Sequence, residues 1–143
     1  RFQEALELQV QALDKRRTML GEDHPDTLIT MHNLASTYGD LGRFQEALEL
    51  QVQALDKRRT MLGEDHPDTL STMHNLAVTY GDLGRFQEAL ELKLQVLDKR
   101  RTLLGEDHPA TLGTMESMAD TLEALDRPEK AVLLREEIVR KRK

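Results

Sequence analysis

The chain has 143 residues, 38% of them hydrophobic but only 3% aromatic, and no cysteine, which excludes disulfides, thiol catalysis and cysteine-based zinc sites. Its formal net charge is -6 with both signs interspersed, so there is no electrostatic case for nucleic acid or an anionic membrane surface. No apolar run approaches the roughly twenty residues needed to span a bilayer.

A 42-residue period runs through the chain, and the copies Arg1 to Gly42 and Arg43 to Gly84 agree at 40 of 42 positions. The exceptions are Ile29 against Ser71 and Ser36 against Val78. A third copy, Arg85 to Asp126, keeps 28 of the 42 residues, and residues 127–143 align with the first 17 positions of a fourth. Such a period marks a solenoid, in which no copy buries its apolar face alone and stacked neighbours share one core. The expected domain is therefore one repeat array over 1–143, with units 1–42, 43–84, 85–126 and a partial unit 127–143. The chain opens on Arg1 in mid-pattern, without an initiator Met or a signal-type segment, and reads as an excerpt. With no Cys and no targeting or spanning segment, a cytoplasmic location is expected.

Each copy begins with a long helix. In the second, Phe44, Ala47, Leu48, Ala54, Leu55, Met61 and Leu62 recur at helical spacing, while Leu50 and Val52 widen the stripe to two faces. A helix apolar on two sides lies between two neighbours. Gly63 is the expected stop, and Lys57, Arg58 and Arg59 stand near the last turn, where cations favour the helix dipole. A helix start follows at Asp65-His66-Pro67-Asp68-Thr69: an Asp or His cap, Pro at the first helical position and an acid in the first turn. The shorter helix carries Leu70, Met73, Leu76, Ala77, Tyr80 and Leu83 on its core stripe, and Gly84 ends it. Gly81 inside that helix suggests a close backbone approach. Strand signals are absent, so the fold class is all-α, with about seven helices in the order long, short, long, short, long, short, long.

The polar stripe of each short helix follows from the same period. It comprises Ile29, His32, Asn33, Ser36 and Asp40 in the first copy, and Ser71, His74, Asn75, Val78 and Asp82 in the second. The third has Gly113, Glu116, Ser117, Asp120 and Ala124, differing from the second at all five positions. Both differences between the first two copies fall on this stripe, although the long helix offers many further surface positions. Variation is thus concentrated on this stripe, as either drift of solvent-facing positions or selection for a partner would leave it.

The stretch LxxTMHNLAxTYGDLGRFQEALELQVQAL resembles the tetratricopeptide repeat. That repeat's first helix carries a Leu, a small residue and a Tyr, here Leu34, Ala35 and Tyr38; its second carries an aromatic and two Ala, here Phe44, Ala47 and Ala54, with Gly42 at the turn. The usual repeat has 34 residues, and the longer form with its G-x-D-H-P turn is similar to the repeats of kinesin light chains and of arrays attached to NB-ARC-type signalling ATPases. Departures cluster at the C-terminal end, where Leu122 replaces the Tyr, Asp126 the turn Gly and Pro128 the Phe, as in a degenerate or a capping repeat. The resemblance implies a right-handed α-solenoid of antiparallel helix pairs whose short helices line a concave groove for peptide segments of partner proteins. It also implies that Asn33 and Asn75 hold a bound segment's backbone, for which an amide that donates and accepts is suited; an Asn bridging adjacent short helices is the alternative.

The groove residues are then Ile29, His32, Asn33, Ser36, Asp40, Ser71, His74, Asn75, Val78, Asp82, Glu116, Ser117 and Asp120. None is basic, so the clamp by which chaperone-tail-binding relatives hold a C-terminal carboxylate is not expected. Glu116 and Asp120 make one end acidic, which suits a segment with apolar or basic side chains. His32 and His74 recur one repeat apart, but helices about 10 Å apart place them too far to share a metal, and no metal or cofactor is expected. His24, His66 and His108 belong to the helix-start turn. The closing Arg140-Lys141-Arg142-Lys143 aligns with the Asp98-Lys99-Arg100-Arg101 helix-end block and is read as one, not as a nucleic-acid patch. A chain of copies offers no singular site for a catalytic triad, so no enzyme activity is expected. The alternative to peptide binding is self-assembly, head-to-tail or by helix exchange, through an apolar end face containing Phe2, Leu6 and Leu13.

Overall fold

The computed structural model describes residues 2–142, with the Phe2 side chain outside the described set. Those residues form seven α-helices: α1 (Phe2–Leu20), α2 (Pro25–Asp40), α3 (Phe44–Leu62), α4 (Pro67–Asp82), α5 (Phe86–Leu104), α6 (Pro109–Ala124) and α7 (Pro128–Arg142). No strand occurs among the described residues. They divide into two compact bodies, an N-terminal one up to Thr79 and a C-terminal one from Tyr80.

In the N-terminal body α2 packs against both α1 and α3. Leu6 and Leu13 of α1 meet Leu28, Met31, Leu34 and Ala35 of α2, whose opposite flank receives Ala47, Leu50 and Ala54 of α3. The C-terminal body repeats this arrangement around α6, between Leu90 and Leu97 of α5 and Ala131 and Ile138 of α7. Numbered within the repeat, positions 6 and 13 of a long helix face the short helix that follows, and positions 5, 8 and 12 face the one that precedes. This is the two-sided stripe expected for the long helices. It departs from expectation at three residues: Val52, assigned to the second face, and Met61 and Leu62 in the last turn are all exposed.

The short helices bury more than their Leu and Met residues. Thr27, Thr30 and Thr37 of α2 are buried with their counterparts in α4 and α6. A buried hydroxyl must find an acceptor. Thr30 Oγ1 donates to the Asp26 carbonyl at 2.9 Å and Thr37 Oγ1 to that of Asn33 at 3.2 Å, one turn back in the same helix. Thr27 Oγ1 donates to the Gly21 carbonyl at 2.8 Å, tying the start of α2 to the end of α1.

The boundaries are built from the residues expected to build them. His24 is the cap of α2: its Nδ1 accepts from the Asp26 N–H at 3.1 Å, and His66 and His108 do the same for α4 and α6 at 3.0 Å. At the far end Arg43 N donates to the Tyr38 carbonyl and Gly42 N to that of Gly39, a Schellman closure with Gly42 at φ 74°. Asp126 makes the same closure after α6 at φ 61°, despite its side chain. Gly81 departs from expectation: a Cβ there would meet nothing within 4 Å, and the same holds for Gly39. No close backbone approach explains these two glycines.

Candidate peptide-binding face

Burial of the Leu, Met and Thr flank leaves the other flank of each short helix outward. In the N-terminal body Ile29, His32, Asn33, Ser36 and Asp40 of α2 are exposed, as are Ser71 and Val78 of α4, while His74 and Asn75 are half-buried. All four residues that distinguish the first two repeats are therefore on the surface. Among the described residues the side-chain amides of Asn33 and Asn75 make no hydrogen bond, so neither bridges to another helix. The backbone carbonyls beneath them are satisfied by Thr37 and Thr79.

The C-terminal body places Asp82, Glu116 and Asp120 on its surface and Ser117 half-buried. The expected acidic end does not survive folding. Arg142 Nη1 lies 2.7 Å from Glu116 Oε1, and Arg135 Nη2 lies 2.8 Å from Asp120 Oδ1 while Nη1 pairs with Glu123. Both arginines come from α7, which packs along α6, so the carboxylates are met by cations distant in sequence.

A residue absent from the expected face is the most buried charge among the described residues. Lys93 of α5 is only 6% exposed; its Nζ donates to Thr121 Oγ1 at 2.6 Å and to the Ser117 carbonyl at 3.1 Å. Burial pulls its pKa below the ordinary lysine value, and the negative charges of Asp120 and Asp82 oppose that shift. Asp82 is pushed up by desolvation, with the Lys93 charge opposing. Lys93 occupies position 9 of the repeat, where the series reads Gln9, Gln51, Lys93, Arg135. That growing charge is visible in the aligned copies. It lies on a long helix, however, whereas the polar stripe that varies between the first two copies lies on the short ones.

The basic block at the end of each long helix does more than complement a dipole. Arg58 Nη1 donates to Thr72 Oγ1 at 2.6 Å and Arg100 Nη1 to Thr114 Oγ1 at 2.7 Å, and Arg16 reaches Thr30 in the same way. The next arginine in each block pairs with the turn glutamate: Arg17 with Glu22, Arg59 with Glu64, Arg101 with Glu106. Lysines of the block reach back to the turn of the preceding repeat, Lys57 to Asp23 and Lys141 to Glu106, both at 2.8 Å. Arg140 to Arg142 thus form part of a helix-end block, as expected.

The end-face residues need correction. Leu6 and Leu13 are buried against α2, because positions 6 and 13 face the following short helix. The exposed large apolar residues of α1 are Met19 and Leu20 in its last turn and Leu8, 68% exposed, on the flank that faces a preceding short helix in later repeats. Phe2 lies outside the described side chains.

The tetratricopeptide-repeat profile matches residues 1–26, 27–68 and 69–110. The chain belongs to the tetratricopeptide-repeat family. Each full match starts on a short helix and includes the long helix after it, the same 42-residue period in another phase. Among solved structures, this tetratricopeptide-repeat chain is similar to a Podosopora anserina protein of kinesin-light-chain type with nearly identical TPR-like repeats, at 35% identity and TM-score 0.87 over 96% of this chain and 65% of that one. A single-substitution form of that protein matches at 33% identity and TM-score 0.89, over 98% and 66% of the two chains. BtubC (BKLC) from P. vanneervenii shares the fold at TM-score 0.88 and 24% identity, covering 99% of this chain and 57% of its own. The chain therefore spans less than two thirds of each of these proteins. No curated protein sequence matches it. The fold class is thus a TPR-like helical solenoid, and tetratricopeptide repeats are generally protein-interaction scaffolds without catalytic activity.

Proposed function

We propose that this chain, acting as one repeat domain over 1–143, binds extended peptide segments of partner proteins on the outward faces of its short helices and performs no catalysis. The observation that carries the reading is the location of variation. Two repeats otherwise identical over 42 residues differ only at Ile29/Ser71 and Ser36/Val78, all on that face. Asn33 and Asn75 stand beside them with side-chain amides free to donate to and accept from an extended main chain. Ile29 and Val78 supply exposed apolar contact. With Glu116 and Asp120 already paired to arginines, complementarity favours a segment with apolar rather than basic side chains.

A peptide array probed with the whole chain tests this. Binders should be enriched in apolar residues at alternate positions, and Asn75→Ala and His74→Ala should each weaken the best binder about tenfold, the scale of one lost charge-free hydrogen-bonding contact in a desolvated site. An array without binders, or affinities untouched by both substitutions, would overturn the assignment.

A further inference from the structure

Within the N-terminal body a hollow of about 230 Å³ lies between α1 and α3, over the C-terminal half of α2. None of the residues of the varying face lines it. Its floor is part of the core: Leu13, Leu34 and Leu50 are buried, and Val10 and Tyr38 pack against them. The volume is below the roughly 300 Å³ at which pockets for small molecules begin, and suits a single side chain.

The rim is acidic, with Asp14 on α1 and Glu46 and Glu49 on α3, but these charges are not equally engaged. Arg17, which also lines the hollow, pairs through Nε with Glu22 at 3.0 Å and donates from Nη2 to Gln53 Oε1 at 3.2 Å. Glu46 holds Arg43 through two hydrogen bonds of 2.7 Å, and the Arg43 guanidinium lies 5.0 Å from the centroid of the Tyr38 ring. Those two arginines and their glutamates balance. Asp14 and Glu49 are both exposed, and among the described residues their side chains make no hydrogen bond or ion pair. Two unanswered carboxylates therefore stand on different helices over an apolar floor.

The repeat framework does not impose this combination. At the same positions in the C-terminal body Val10, Leu13, Leu34 and Leu50 become Leu94, Leu97, Met118 and Leu134, all apolar. Asp14, Glu46 and Glu49 become Asp98, Lys130 and Leu133, so one acid, one base and one apolar residue replace three acids.

We infer that the α1–α3 hollow receives one arginine side chain exposed by a partner protein, with its methylenes on the apolar floor and its guanidinium meeting Asp14 and Glu49. Charge complementarity selects this occupant: an acidic side chain would be repelled, and an apolar one would leave both carboxylates unanswered. Arginine is favoured over lysine because its planar fork of donors serves two carboxylates at once and is more weakly hydrated than an ammonium. This is a different surface and a different ligand chemistry from the extended segments of the short-helix faces.

The test titrates the peptide acetyl-Gly-Arg-Gly-amide into the whole isotope-labelled chain at low salt and follows amide chemical shifts. Saturable shifts at residues 10–17 and 46–53 are expected at millimolar concentration, the range for one charged side chain at a surface. The lysine counterpart should bind at least twofold more weakly, and the citrulline counterpart, which keeps the shape without the charge, at least fivefold. Asp14→Asn and Glu49→Gln should each weaken binding about threefold to fivefold, while Asn33→Ala on the varying face should leave it unchanged; each variant's amide spectrum reports its fold directly. Absence of saturation, equal binding of the lysine or citrulline peptide, indifference to both carboxylate substitutions, or shifts confined to residues 94–101 and 130–137 would overturn the inference. So would a peptide-free dimer in light scattering that Glu49→Gln dissolves, since a second copy would then fill the hollow.

Discussion

The helices α2 and α6 are each held between two long helices by the same design, yet their outward faces differ in kind. Around α2 the face is neutral apart from Asp40, and among the described residues no ion pair crosses it. Around α6 it is laced: Arg142 to Glu116, Arg135 to Asp120, and Lys93 beneath to the Ser117 carbonyl and Thr121. The substitutions of the third repeat change no helix length; α1, α3 and α5 have 19 residues each and α2, α4 and α6 have 16. Substitutions at the buried apolar positions keep them apolar, and Met118 for Leu34 is a near-volume-conserving swap of the kind a packed core tolerates best. The two bodies show that framework and face vary independently: the apolar framework keeps its character, while the face changes in charge.

The equivalence of the two frameworks is open to the largest effect. Leu13→Ala and Leu97→Ala should each cost about 3 kcal/mol in urea unfolding, since both empty a buried site at position 13, while Leu8→Ala should stay within about 0.5 kcal/mol. A mild Leu13→Ala would place α1 outside the core and end the equivalence. The lacing of the C-terminal body comes next. Lys93→Ala should cost about 2 kcal/mol by removing the charged donor to Ser117 and Thr121, and Lys93→Gln, the residue of the earlier repeats, should recover at least half of that loss.

A smaller effect distinguishes the two bodies by pH. The folded pKa of Lys93 lies below the ordinary value of 10.5, so between the two values the unfolded chain holds a proton that the folded chain has shed. Stability relative to Lys93→Gln should therefore rise as pH climbs through that window, read from urea midpoints; a flat difference would deny the burial of the charge. Two backbone changes should stabilise. Gly81→Ala should add about 1 kcal/mol, because its Cβ has open space in a helix interior, and Asp126→Gly should add about 0.5 to 1 kcal/mol by relieving a side chain held at positive φ. Both are readable as a rise in thermal midpoint.

Much of the fold is legible because repetition states each boundary several times. His66, Pro67, Gly63 and Gly84 do what local chemistry assigns them, since caps and turns depend on residues a few positions away. The face of α2 is legible for the same reason: a helical period sorts Ile29, His32, Asn33, Ser36 and Asp40 onto one side. The electrostatics of α6 are not. Glu116 and Asp120 meet Arg142 and Arg135 only because α7 packs along α6. Position 9 gives no signal of burial, because Gln, Lys and Arg on a long helix look like solvent-facing residues until a neighbouring helix covers them. Leu6 and Leu13 fall on the opposite flank from the one expected, because a stripe apolar on two sides does not by itself say which side meets the preceding helix.

By itself, then, the sequence determined the period, the helices and their ends, the apolar stripes and the face on which repeats vary, all properties of one helix and its immediate turn. Only the tertiary structure decided which flank of a long helix faces forward, that Lys93 is a buried charge, and that the acids of α6 are already neutralised. Each of those depends on which helix lies alongside another, and burial and pairing are properties of neighbours in space that a one-dimensional period does not contain.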